Sequence, residues 1–190
     1  MIRIFESGYF SRYRTSTRLD DARTPITELF KYAQRVTTVF LSHKHDELND
    51  LSAYMPELGC PLGEELLRPT RVYVKPLLQA VRQFGKAIKG ICNITGGGLY
   101  ENIPRMLPEG IMARLETSKF QKMPIFDVLA HKGGIPRRDM YNTFNMGVGL
   151  ALAVSAEEAD AVVEALRGLG EAPSIIGECI ESERGVQLLW

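Results

Sequence analysis

Five groups of residues in this 190-residue chain have types and spacings that could do chemistry. His43 and His45 stand two apart beside Asp46 and Glu47. Alternate residues of an extended segment point the same way, so the pair could chelate a metal. Short motifs of this kind match often by chance, so the polar run "SHKHDELND" reads as a solvated loop and the metal site is rejected. Three glycines, Gly96, Gly97 and Gly98, lie in "NITGGGLYENIPRMLPEG" between an apolar run and a short helical pattern. Glycines in that position let backbone N–H groups approach a phosphate, but no lysine follows in the P-loop manner. Arg68, Arg71 and Lys75 form one basic cluster and Arg137 with Arg138 another. Arginine presents a planar fork of donors to an anion, yet clusters of this kind are more commonly solvated surface, and Arg137, Arg138 and Asp139 read as a salt-bridged patch. Gly147 and Gly149 precede a strand and open no helix, so close backbone packing explains them better than a dinucleotide fingerprint.

The bulk properties narrow the classes. Equal numbers of basic and acidic residues, 23 of each, leave no electrostatic case for nucleic acid or an anionic membrane. No apolar run is long enough to span a bilayer, and the polar start lacks a signal peptide's apolar centre. Cys60, Cys92 and Cys179 are odd in number and far apart, which suits buried thiols in a reducing compartment. A cytoplasmic location follows. No basic neighbour argues for a thiolate nucleophile.

The elements that must position these residues alternate after about residue 51. "ITELFKYAQRV" behind Pro25 predicts a helix and "TTVFL" a short buried strand. "VKPLLQAVRQFG" predicts a helix stopped at Gly85, and "KAIKGICNI" a strand leading into the glycine loop and a helix around Tyr100–Met106. "GIMARLE" predicts a strand, "PIFDVLAHKGG" a helix, and "GVGLALAVS" the most strand-like run. Ser155 and Glu158 form a capping-box pattern at the head of "AEEADAVVEALRGLG". "SIIGECIE" and "GVQLLW", joined by "SERG", predict a closing hairpin. Together these give an α+β fold, a mixed sheet with helices packed on one side.

Four ordered motifs carry a specific resemblance. "LGEELLRPTRVYVKPLL", "ITGGGLYENIPRMLPEG", "PIFDVLAHKGGIPRRDMYNTFNMGVGLALAV" and "IIGECIESERGVQLLW" resemble the C-terminal domain of phosphoribosylformylglycinamidine cyclo-ligase, or AIR synthetase, over residues 51–190. The resemblance implies a ligase of purine biosynthesis. ATP with Mg²⁺ activates the amide oxygen of formylglycinamidine ribonucleotide, and ring closure gives the imidazole. It further implies that the site is a cleft shared with an N-terminal domain, which supplies most nucleotide and metal contacts and much of a dimer interface. On that basis Thr95, Gly96, Gly97, Gly98, Asn102, Arg105 and Asn145 are the cleft residues. Thr95 and the glycine amides would contact phosphate or ribose, Arg105 would neutralise charge or brace the loop, and Asn145 would shape the cleft. None is a general base, so this half would position substrates, with no catalytic proton transfer. The chain departs from the pattern at Asn93, where many members carry histidine, and at "KFQKMPIF", where a tryptophan version is common.

Residues 1–50 are expected to be an appendage and not an independent domain, since fifty residues are marginal for a core. "TTVFLSHKHDEL" resembles the first strand and loop of bacterial TIR-like domains, but nothing after residue 50 continues that pattern. Without the N-terminal ATP-binding domain, activity is not expected of this chain alone. A homodimer, or a partner supplying the missing domain, is the expected assembly. The rival classes are a non-enzymatic interaction module derived from the same domain and, behind it, a TIR-type NAD-cleaving protein.

Overall fold

Leu150–Ser155 is apolar at almost every position, so a strand there needs cover on both faces. The computed structural model, which describes residues 2–7, 52–69 and 71–190, supplies that cover. In chain order the strands are β1 (Ile2–Ser7), β2 (Tyr54–Met55), β3 (Cys60–Pro61), β4 (Ile88–Asn93), β5 (Ile111–Glu116), β6 (Leu150–Ser155), β7 (Pro173–Glu181) and β8 (Gly185–Leu189). Among the described residues the α-helices are α1 (Leu62–Leu66), α2 (Val74–Phe84), α3 (Gly98–Asn102), α4 (Pro124–Gly133), α5 (Arg137–Thr143) and α6 (Ala159–Gly168).

The chain divides into two compact units. One comprises residues 1–9, 70–123 and 137–190 and holds a six-stranded sheet in the order β4-β6-β1-β7-β5-β8. Neighbours run antiparallel except β5 and β8, which are parallel, so the sheet is mixed as expected. Alternation along β6 feeds two cores. Leu150, Leu152 and Val154 join Ala80 of α2 and Val162, Val163 and Leu166 of α6. Ala151 faces the other way, into a cluster with Leu99, Ile103, Leu115 and Ile176. The two longest helices of this unit thus share one face, and the segment around α3 packs on the other. The second unit comprises residues 10–69 and 124–136. Its described parts are the β2–β3 ladder, α1 and α4.

Two local expectations fail for physical reasons. β7 and β8 do not pair as a hairpin, because β5 lies between them. The "SERG" turn steps across the start of β5, where the Ser182 N–H donates to Gly110 O at 3.0 Å. Ser155 does not cap α6 either. Its backbone N–H donates to Ala87 O at 2.9 Å, and a 3-10 turn, Ala156–Glu158, precedes the helix. A capping box requires the serine side chain to be free to turn back on the helix, and the β6 connection has taken it elsewhere. "RRDMY", given no element from its pattern, is part of helix α5. Among the described residues no helix is long and apolar enough to cross a membrane. The Pro25 helix, the "TTVFL" strand and the His43–His45 pair lie outside the described residues.

Candidate functional site

The glycine loop follows directly from β4. Asn93 pairs with Leu150 at the end of the ladder, and the Ile94 N–H donates to Gly149 O at 3.0 Å. The sheet therefore sets the 95–98 loop beside the 145–149 loop. Gly97 and Gly98 both take left-handed backbone angles, φ +96° and +56°. Gly98 is buried, and a Cβ there would stand 2.8 Å from Phe144 O and closer still to Tyr141 O. Its lack of a side chain lets α3 meet the backbone of α5. Gly98 is a packing glycine, while Thr95 and Gly96 are exposed.

Asn102 is 2% exposed and holds the loop from beneath. Its Nδ2 donates to Gly98 O at 2.7 Å and lies 3.3 Å from both Thr95 O and Gly96 O. Arg105 Nη1 donates to Asn102 Oδ1 at 3.3 Å, which fixes the amide's orientation. Three carbonyls are thereby turned inward. Of the two roles foreseen for Arg105, bracing is the one with a bond behind it. The Glu101 carboxylate lies against Gly97, where a Cβ would overlap it. Asn145 shapes its own loop: Oδ1 accepts from the Gly147 N–H at 3.0 Å, with Met146 at φ +52° between them.

The basic clusters have structural partners. Arg68 pairs with Glu65 at 2.9 Å. Arg71 pairs with Glu171 at 2.9 Å and donates to Gly170 O at 3.2 Å, clamping the segment before α2 to the α6–β7 turn. Arg137 does not pair with Asp139 as a surface patch would. Its guanidinium lies 3.8 Å from the Trp190 ring centre, and Arg138 lies 4.8 Å from that of Tyr100. Tyr141 meets Trp190 edge-on at 5.0 Å. No sequence periodicity links Trp190 to α5, so this clasp was invisible without the fold. Burial pushes the Cys92 thiol up to about 11 despite nearby Arg105, and burial with the Glu178 carboxylate does the same for Cys179. Neither is a thiolate nucleophile near neutrality.

The arrangement defines a class before it defines a protein: an α+β domain presenting a braced glycine loop at one end of a mixed sheet. The family described as AIR synthase related protein, C-terminal domain, matches residues 35–188, and the chain belongs to it. The match begins ahead of residue 51 and includes the stretch that resembles TIR-like domains. The chain is 47% identical over 138 residues to the phosphoribosylformylglycinamidine cyclo-ligase of Lachnospira eligens, covering 73% of this chain and 40% of that protein. To the cyclo-ligase of Geobacillus kaustophilus it is 55% identical over 121 residues, 64% of this chain and 34% of that protein. It thus spans about two fifths of the relatives it matches. Among solved structures, thiamine-monophosphate kinase from Stenotrophomonas maltophilia shares the fold at TM-score 0.57 and 16% identity, over 98% of this chain and 49% of that one. The E. coli hydrogenase maturation protein HypE shares it at TM-score 0.50 and 26% identity, over 67% of this chain and 39% of that one.

Proposed function

We propose that the chain is the C-terminal half of a phosphoribosylformylglycinamidine cyclo-ligase of purine biosynthesis, forming one wall of a substrate cleft. The observation that carries this is the Asn102-braced loop within a domain 47% identical to such an enzyme. The exposed Thr95 and Gly96 and the adjacent Asn145 loop are the surface offered to ligand. Glu101 decides what suits it. A phosphate set against Gly97 would meet a carboxylate, whereas ribose hydroxyls would donate to it. The loop therefore fits the ribose of formylglycinamidine ribonucleotide better than a bare triphosphate.

ATP and Mg²⁺ are the cofactors of this reaction by family. Among the described residues no three His, Cys, Asp or Glu side chains gather to hold a metal, and Mg²⁺ favours carboxylate and phosphate oxygens. No step is derived through either cofactor. The contribution of this half is positioning, which can carry a large part of a barrier when reactants are held in register. A cytoplasmic setting suits that role.

The test supplies the purified chain with formylglycinamidine ribonucleotide, ATP and Mg²⁺, with and without the separately expressed N-terminal part of a cyclo-ligase relative. Aminoimidazole ribonucleotide is expected only from the pair. Robust turnover by the chain alone would sink the half-site assignment, and none from a demonstrated complex would sink the cyclo-ligase assignment.

A second reading, a non-enzymatic interaction module, has one observation behind it. Val74, Leu78 and Val81 recur at i, i+4 and i+7 on the outer side of α2, and are 58%, 49% and 36% exposed. Ribonucleotide binding by the purified chain discriminates, whatever its oligomeric state: affinity favours the cleft, and association through the α2 face without ligand affinity favours the module.

A further inference from the structure

The centre of the sheet is built from residues 2–7, which lie outside the family match at 35–188. β1 pairs antiparallel with both neighbours: Ile2 to Ser7 oppose Ser155 to Leu150 of β6, and the same residues oppose Cys179 to Pro173 of β7, with a register shift between Ile4 and Phe5. Without it the sheet falls into two pieces, β4-β6 and β7-β5-β8. Yet the two pieces are held together from both faces. Leu152 of β6 and Ile175 of β7 pack in one core, and Ala151 of β6 and Ile176 of β7 in the other. The space between β6 and β7 is thus a bracketed slot, one strand wide, with a row of N–H and C=O groups on each wall. Such a slot binds an extended strand chiefly through main-chain hydrogen bonds. Its occupant is joined to the rest of the unit only through residues 8–73.

We propose that the β6–β7 slot is a strand-receptor site whose occupant, residues 2–7, is exchanged between two copies of this chain. A second copy is the fitting partner because it presents the same six residues in the same register. The tether's advantage is finite, because the effective concentration at which a connection holds its end, about a millimolar for short linkers, falls as the span lengthens. Over so long a connection, exchange competes with self-insertion at high protein concentration. The product is a reciprocal, closed dimer of the domain-swapped kind. The proposal concerns the sheet and does not depend on the cyclo-ligase assignment.

The register supplies the test. Ile2 stands opposite Cys179, and directly opposed residues of an antiparallel pair come within disulfide reach. In full-length chain carrying Ile2→Cys, with Cys60→Ser and Cys92→Ser to remove competing thiols, protein is unfolded, refolded dilute and concentrated, and oxidised. Mixing heavy- and light-isotope chains before refolding distinguishes links within and between copies by peptide mass. Expected are links from position 2 to Cys179 within chains when dilute, and a mixed heavy–light share that rises with concentration towards one half in the isolated dimer of equally mixed chains. A labelled peptide of residues 1–9, added during refolding of unsubstituted chain, should be captured, and a scrambled peptide should not. Links confined to single chains at every concentration, no link to Cys179, or equal capture of the scrambled peptide would each overturn the proposal.

Discussion

The two loops at the end of the sheet hold similar glycine-rich sequences by different means. In "TGGGL" the backbone is fixed from outside: Asn102, four residues beyond Gly98, gathers the loop carbonyls, and α5 closes over Gly98. In "NMGVG" the loop fixes itself, with Asn145 accepting from Gly147 while Met146 sits at a left-handed φ of +52°. The first arrangement leaves exposed backbone at Thr95 and Gly96. The second spends its asparagine on its own turn. A loop braced from behind can offer its outer surface to a ligand, whereas a self-braced loop mainly offers shape.

The largest effect should come from Gly98→Ala. The new Cβ meets two backbone carbonyls that have no rotamer to change, and the residue is left-handed besides. Overpacking and backbone strain together cost about 3 kcal/mol or more, read as a lowered urea midpoint. A loss under about 1 kcal/mol would mean α5 can move away, and the contrast between the loops would collapse.

Next in size, Asn102→Ala should cost about 2 kcal/mol, because it strands Gly98 O in a buried setting and frees Arg105. Asn145→Ala removes one partly exposed bond and should cost about 1 kcal/mol or less. If denaturant titrations give the two equal costs, the first loop is not braced from beneath.

A smaller effect belongs to the alkaline range. Cys92, on β4 just before the glycine loop, and Cys179, on β7, are held up to about 11 against an ordinary 9.0. Unfolded chain ionises these thiols from about pH 9, while folded chain keeps them protonated towards pH 11. Their contribution to stability is therefore intact below 9 and lost as pH rises through that window. Urea midpoints at about pH 8 and about pH 10.5 should fall more in the parent than in a Cys92→Ala, Cys179→Ala double variant. Parallel falls would remove the thiols from the account.

The smallest effect is expected at Met146→Gly. Relief of left-handed strain of about 1–2 kcal/mol is offset by about 0.4–1 kcal/mol of unfolded-chain entropy. The net is a gain of about 0.5 kcal/mol, visible as a slight rise in melting temperature. A clear loss would show that the Met146 side chain packs usefully.

Much of the sheet was legible because its strands are local patterns. Ile88–Asn93, Ile111–Glu116 and Leu150–Ser155 lie within the runs that alternation and apolar content mark. The glycine loop and its bracing arginine were legible from the ordered motifs. What misled was chemistry that depends on a neighbour absent from the local sequence. Ser155 had the pattern of a cap and lost it to Ala87, and Arg137 looked paired with Asp139 until Trp190 lay beneath it. The final two strands had the spacing of a hairpin, but a turn's length cannot say whether another strand has entered the gap.

By itself the sequence determined the kind of elements, their order and the family, because apolar periodicity, breakers and ordered motifs are properties of contiguous residues. Tertiary structure alone decided that Ile2–Ser7 is the third strand of the sheet, that β5 separates β7 from β8, and that Gly98 is required by space. Strand pairing and close approach are set by the backbone hydrogen-bond and packing demands of distant segments. Those demands leave no periodic trace in the residues that meet them.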